Sequence, residues 1–115
     1  MEQLNKLELR GNVGFSRVQV FNSRKVARFS VATNYAYKDR DGMPVIETTW
    51  HNVSAWEGRD IVDPDLIRKG TKVHVIGRLR AQNYTDKDGQ ERDTFEVLAT
   101  KVELLEDLDQ PQNDF

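Results

Sequence analysis

Apolar and polar residues alternate along most of this chain, the period-two signature of half-buried β-strands. Leu7, Leu9 and Val13 alternate with Glu8, Arg10 and Asn12, and Val18 and Val20 continue the series. A first strand is expected there, with a bulge or tight bend at Gly11 inside the pattern. The cluster Asn22-Ser23-Arg24-Lys25 turns the chain into a second strand, Val26 to Tyr37. Asp39-Arg40-Asp41-Gly42 is an Asp-Gly hairpin signal that leads into a third, Val45 to Trp56. Between Asp60 and Gly70 the pattern changes: Asp63 suits an N-cap, Pro64 the first helical position, Leu66 and Ile67 an apolar face, and Gly70 a stop. This predicts one short helix. Val73, Val75 and Leu79 open a fourth strand, Asp86-Lys87-Asp88-Gly89 makes a second hairpin turn, and Thr94 to Leu105 forms a fifth strand. The order β-β-β-α-β-β, with one short helix between strands 3 and 4, is that of the OB-fold, a mostly β, five-stranded, partly open Greek-key barrel used to bind oligonucleotides.

Strand parity then sorts the side chains by face. On the third strand Val45, Val53 and Ala55 share one parity with His51, whereas Thr48, Trp50, Asn52, Ser54 and Trp56 share the other. Both tryptophans of the chain therefore ride on an otherwise polar row. On the fourth strand Val73, Val75 and Leu79 share one parity, and Lys72, His74, Arg78, Arg80, Gln82 and Tyr84 share the other, interrupted only by Ile76. Flat rings interleaved with cations suit unpaired nucleic acid, because rings stack on bases while Lys and Arg follow the phosphates. Such a surface reads little sequence. Each ring, taken singly, also suits a subunit interface or the rim of a core. His51, on the apolar side, suits a core or interface position.

Composition narrows the alternatives. The 115 residues suit one domain and hold no cysteine, so disulfides and thiolate metal sites are excluded, and two histidines leave metal chemistry little to work with. No metal or other cofactor is expected. Asp39 with Asp41, and Asp86 with Asp88, fall in hairpin turns that favour Asp for geometry and lack EF-hand spacing. Neither a Gly-rich phosphate loop nor a nucleophile motif is present, and no enzyme is expected. Met1 to Arg10 lacks the apolar run of a signal peptide and no stretch is long enough to cross a bilayer, so a soluble cytoplasmic protein without membrane contact is expected. The net charge of −2 conceals an asymmetry: residues 1–102 carry all seventeen Lys and Arg against fourteen acids, and the remaining five acids crowd the end. A basic body of this kind, residues 1–105, is compatible with a nucleic-acid partner, and residues 106–115 form a short acidic tail.

Several segments resemble one family. Asn5-Lys6-Leu7 through Gly11-Asn12-Val13-Gly14 is similar to the opening strand of bacterial single-stranded DNA-binding (SSB) proteins. Phe29-Ser30-Val31-Ala32-Thr33, Thr49-Trp50-His51-Asn52-Val53, Leu66-Ile67-Arg68-Lys69-Gly70 and Val75-Ile76-Gly77-Arg78-Leu79-Arg80 follow in the family's order, then Tyr84-Thr85-Asp86. The resemblance spans about residues 4 to 105, and its length makes it more specific than any one motif. It implies an OB-fold that assembles as a homotetramer or a dimer and acts in DNA replication, recombination or repair. By position it puts the stacking aromatics on Tyr37, Trp50, Trp56 and Tyr84, with tyrosine at 37 and 84 where the family commonly has tryptophan. His51 matches a histidine of subunit contacts. Lys6, Lys72, Arg78 and Arg80 are the expected phosphate contacts. The family's long Gly-, Pro- and Gln-rich linker is almost absent here. The acidic end closing on Asp114-Phe115 lacks the family's penultimate proline, and suits either a shortened tip that docks replication or repair proteins or a solvated end. Two other functions compete with a DNA coat: a primosome-type OB-fold adaptor acting mainly through protein partners, and a structural OB module whose aromatic face buries against another chain. The basic row Lys72, Arg78 and Arg80 counts against the last.

Overall fold

A computed structural model describes residues 2–105. Its elements are β1 (Leu7–Phe21), β2 (Arg24–Lys38), β3 (Pro44–Trp56), a 3-10 turn (Pro64–Leu66), β4 (Lys72–Thr85) and β5 (Glu91–Leu105). The five strands close into one barrel in the order β1-β2-β3-β5-β4. All neighbours are antiparallel except β3 and β5, which meet in parallel only at Val53–Val97 and Ser54–Leu98. The expected barrel is thus present and is closed.

The turns explain the hairpins. Asn22 and Ser23 both take positive φ, 51° and 67°, the two-residue connection whose twist matches the flanking strands. The other two hairpins repeat one device. The side chain of Asp39 accepts from the amides of Asp41 and Met43, both at 2.9 Å, and Asp86 accepts from Asp88 and Gln90 at 2.9 and 3.0 Å. Gly42 and Gly89 then supply φ near 80°. The paired aspartates are turn-formers.

Val13, Phe29, Val31, Val53, Val73, Val75, Val97 and Val102 fill the barrel, with Ile67 from the loop above. Three sequence expectations need correction. The predicted helix is a single 3-10 turn: Asp63 caps it by accepting from the Asp65 amide at 3.0 Å, but Ile67 is already extended. The segment buries Pro64 and Ile67 while Asp65 and Leu66 stay exposed, which leaves too narrow an apolar face for a longer helix to hold against the barrel. The bulge of β1 falls between Val13 and Phe15, at Gly14, while Gly11 keeps a regular pairing with Val73. Gly11 is small for another reason: a Cβ there would overlap the Ala32 carbonyl oxygen and come within 3.0 Å of Val31 Cγ1. Leu79, which shares the parity of the core residues Val73 and Val75, is exposed because the β1 partner of β4 ends at the pair Leu7–Gly77, and beyond the β3–β5 contact β4 and β5 run on as an arm. The β2–β3 hairpin forms a second arm beyond Thr33.

On the outside of β1, β4 and β5, His74 sits between two carboxylates, with Nε2 2.5 Å from Glu8 and Nδ1 2.9 Å from Glu103. A neutral imidazole has one N–H and cannot donate to both. The hydrogen bonds to Glu103 and then Glu8 accordingly raise the His74 pKa above its ordinary value, and the bond from His74 lowers both glutamates. The stabilisation from His74 is complete below about pH 6.5, the unfolded value, and fades as pH rises through the higher folded value. That from the glutamates is present above their ordinary range and fades on acidification. The melting temperature of the parent should exceed that of His74→Gln most between about pH 5 and 6.5, and the margin should shrink toward pH 9. Thermal melts across that range check it; a constant margin would remove the charged clamp.

Candidate nucleic-acid interface

Pairing register builds one continuous outer face across β1, β2 and β3. Trp50 lies opposite Ala32; Asn52 opposite Ser30, which meets Phe15; Ser54 opposite Arg28, which meets Arg17; and Trp56 opposite Val26, with Arg24 and Phe21 beyond. Trp50 is 58% exposed at one end of this face. Its ring lies over the bulged Gly14, where a Cβ would intrude into the ring edge. The bulge and the missing side chain together leave room for the ring against the barrel. Trp56, at the other end, is half-buried against Phe21, with ring centroids 6.1 Å apart, and the Arg24 guanidinium lies 5.3 Å from its ring centre.

Between the tryptophans the face is cationic. Arg17 and Arg28 are directly opposite one another and both exposed. Like charges so placed destabilise a sheet, and among the described residues neither has an ion-pair partner. A face that keeps this repulsion is prepared for an anion. Phe15 and Arg17 were missed from the sequence because β1 was read only for its apolar parity, and Arg24 and Arg28 because β2 was not sorted by face. The bulge at Gly14 moves Phe15 to the outer face, and no spacing rule announces which glycine carries it.

A groove of about 200 Å³ joins this face to the β4–β5 arm, lined by Phe15, Arg28, Asn52, Ser54, Gln82 and Glu96 among others. The β3 and β4 rows found by parity therefore do converge. Arg78, Arg80, Gln82 and Tyr84 run along the arm, with Tyr84 half-exposed near its tip. Arg80 is already engaged: its guanidinium pairs with the buried carboxylate of Glu96, which also accepts from Ser54 Oγ at 2.8 Å. That cluster ties β3, β4 and β5 at the short parallel contact that closes the barrel. Arg78 is exposed without an ion pair among the described residues.

The other expected site residues lie elsewhere. Tyr37 is exposed on the opposite side of the β2–β3 arm from Trp50, 6.0 Å from the ring of Tyr35. His51 shares that inner side, half-buried, its Nε2 2.9 Å from Thr33 Oγ1. Lys6 lines a groove with Leu4, Leu79, Ala81 and Phe95 on the reverse of the β4–β5 arm. Lys72 borders a cleft with Arg10, Asn12 and Leu105. Asp114 and Phe115 lie outside the described residues. Among the described residues no cluster of His, Asp and Glu has the form of a metal site, and no helix is long and apolar enough to cross a membrane.

Residues 4–105, the whole of this barrel, match the family model described as the single-strand binding protein family. The chain belongs to that family. It is 34% identical over 108 residues to single-stranded DNA-binding protein 1 of Xylella fastidiosa, covering 91% of this chain and 79% of that protein. With a single-stranded DNA-binding protein of Neisseria meningitidis it shares 33% identity over 104 residues, 89% of this chain but 60% of the relative. Among solved structures it is similar to the Plasmodium falciparum SSB in complex with ssDNA, with TM-score 0.72 at 28% identity, covering 92% of this chain and 98% of that one. A single-stranded DNA-binding protein of Thermus aquaticus superimposes with TM-score 0.73 at 24% identity over 90% of this chain and 51% of that one, a likeness of fold.

Proposed function

We propose that this chain binds and coats single-stranded DNA with little sequence specificity, in replication, recombination or repair, and that its role is binding rather than catalysis. One observation carries the reading: an exposed sheet face on which Trp50 and Phe15 adjoin the opposed, unneutralised pair Arg17 and Arg28. Bases stack on the rings whatever their identity, and phosphates relieve the repulsion between the arginines. Tyr84 and Arg78 extend the path along the β4–β5 arm. Tyr37, Lys6 and Lys72, on other surfaces, join it where the strand wraps round the barrel. Arg80 contributes through Glu96 unless phosphate draws it away. In this reading the protein works in the cytoplasm as a homotetramer or dimer with His51 at a subunit contact, and Asp114 and Phe115 dock replication or repair proteins. A primosome-type adaptor would have no need of the strained arginine pair, so that pair favours the coat.

Replacing Arg28 with glutamine should move two quantities in opposite directions. Removing one of two like charges should raise the melting temperature slightly. Losing one phosphate contact should flatten the slope of log affinity against log salt for an oligo-thymidine strand by about 0.7. Thermal melts and titrations at several salt concentrations check both. An unchanged salt slope would take Arg28 off the DNA path.

A further inference from the structure

We propose that Arg24 is itself a base-stacking residue, the outer member of a cluster with Trp56 and Phe21, which receives an unpaired base on its guanidinium plane. The inference rests on the reading of the chain as a single-strand binder. Trp56 is not an open platform: Phe21 packs against it and Arg24 lies over the ring. What that end of the face presents outward is a guanidinium. Its placement is built in several ways. Phe21 and Arg24 form the last pair of the β1–β2 hairpin, closed by the two-residue turn at Asn22 and Ser23. Arg24 Nη2 donates to the Glu57 carbonyl at 3.2 Å, which holds the group beside the ring.

The charge is left uncompensated. The Glu57 carboxylate lies 2.5 Å from the Lys25 amide that donates to it, and Lys25 itself pairs with Asp65 at 2.5 Å. Arg24 therefore has no ion-pair partner among the described residues, although acids stand close by. A weakly hydrated planar cation held 5.3 Å from the centre of an indole ring suits a flat, electron-rich ligand. The bases of single-stranded nucleic acid are of that class, and guanidinium planes stack on them. A cation serving only phosphate would have no need of the ring beneath it. Arg24 also stands on the same face as Arg17 and Arg28, so a strand crossing from Trp50 meets it in order.

The test separates plane from charge. The whole chain, Arg24→Lys and Arg24→Ala are titrated with an oligo-thymidine strand at several salt concentrations, with thermal melts confirming that both variants fold. Lysine keeps the charge and loses the plane. Both variants should weaken binding by a similar factor, about 5- to 30-fold, and Arg24→Lys should keep the parent's salt slope. Parent-like affinity of Arg24→Lys, with Arg24→Ala weaker and its slope flatter by about 0.7, would make Arg24 a phosphate contact and overturn the proposal. Tighter binding by Arg24→Ala would make it a cover over Trp56 and overturn it equally. A parent that ignores the oligonucleotide would overturn both this inference and the function beneath it, whereas either of the other two results on a binding parent overturns the inference alone.

Discussion

Replacing Trp50 with alanine is expected to weaken single-stranded DNA binding by about 1–3 kcal/mol, roughly 5- to 150-fold, while leaving the fold intact. The two halves of that expectation have separate causes. The ring is mostly exposed and its edge meets Gly14 rather than the interior cluster around Phe29, so its removal opens no core cavity. Of the aromatics on the β1–β2–β3 face, Trp50 has its outer side open, whereas Trp56 is covered by Arg24. Loss of the open platform removes a stacked base outright. Titration of parent and variant with an oligo-thymidine strand, with a thermal melt of each, checks both halves. Unchanged affinity accompanied by altered assembly would reassign the ring to a subunit interface.

The second large effect falls on stability. Gly11→Ala should lower stability by roughly 1–3 kcal/mol, the cost of forcing extra volume into a packed barrel. For a domain of this size that corresponds to a fall in melting temperature of about 4–8 °C per kcal/mol. A methyl group at this position meets backbone, the carbonyl of Ala32, and cannot be accommodated by turning a side chain. The clash also comes where β1, paired with β4 over Leu7–Asn12, begins to pair with β2 at Asn12. Affinity for DNA measured well below the melting temperature should stay at the parent's value, because Gly11 lies off the proposed face. A variant that melts with the parent would show that β1 and β2 separate there without penalty.

The strands and hairpins were legible because each rests on a local rule: alternation for the strands, and Asp-Gly or Asn-Ser chemistry for the turns. Trp50, Asn52 and Ser54 on β3, and Arg78 to Tyr84 on β4, were placed on outward faces by parity alone, and the structure joins those two rows at one groove. What parity could not reach depends on contacts across the barrel. Gly11 and Gly14 look alike in sequence, but the bulge goes to the one under Trp50, and with it Phe15 turns outward. Arg80 looks like any cation of its row until Glu96, from a strand sixteen residues away, is found beside it. Arg17 and Arg28 were unremarkable singly and informative only as a cross-strand pair. Leu66 and Ile67 suggested a helix because capping residues surrounded them, yet only Ile67 is buried. The length of the arms was hidden too, since a strand pattern continues unchanged past the barrel, as it does at Ala81 and Phe95.

The most direct test of the central claim is tryptophan fluorescence of the whole chain during titration with oligo-thymidine and with duplex DNA, at low and moderate salt. Trp50 and Trp56 are its two reporters, and both lie on the proposed face. Strong quenching by the single strand alone, weakened by salt, is the expected result. No quenching together with no mobility shift on the single strand would contradict the DNA-coat reading and turn attention to protein partners of the aromatic face.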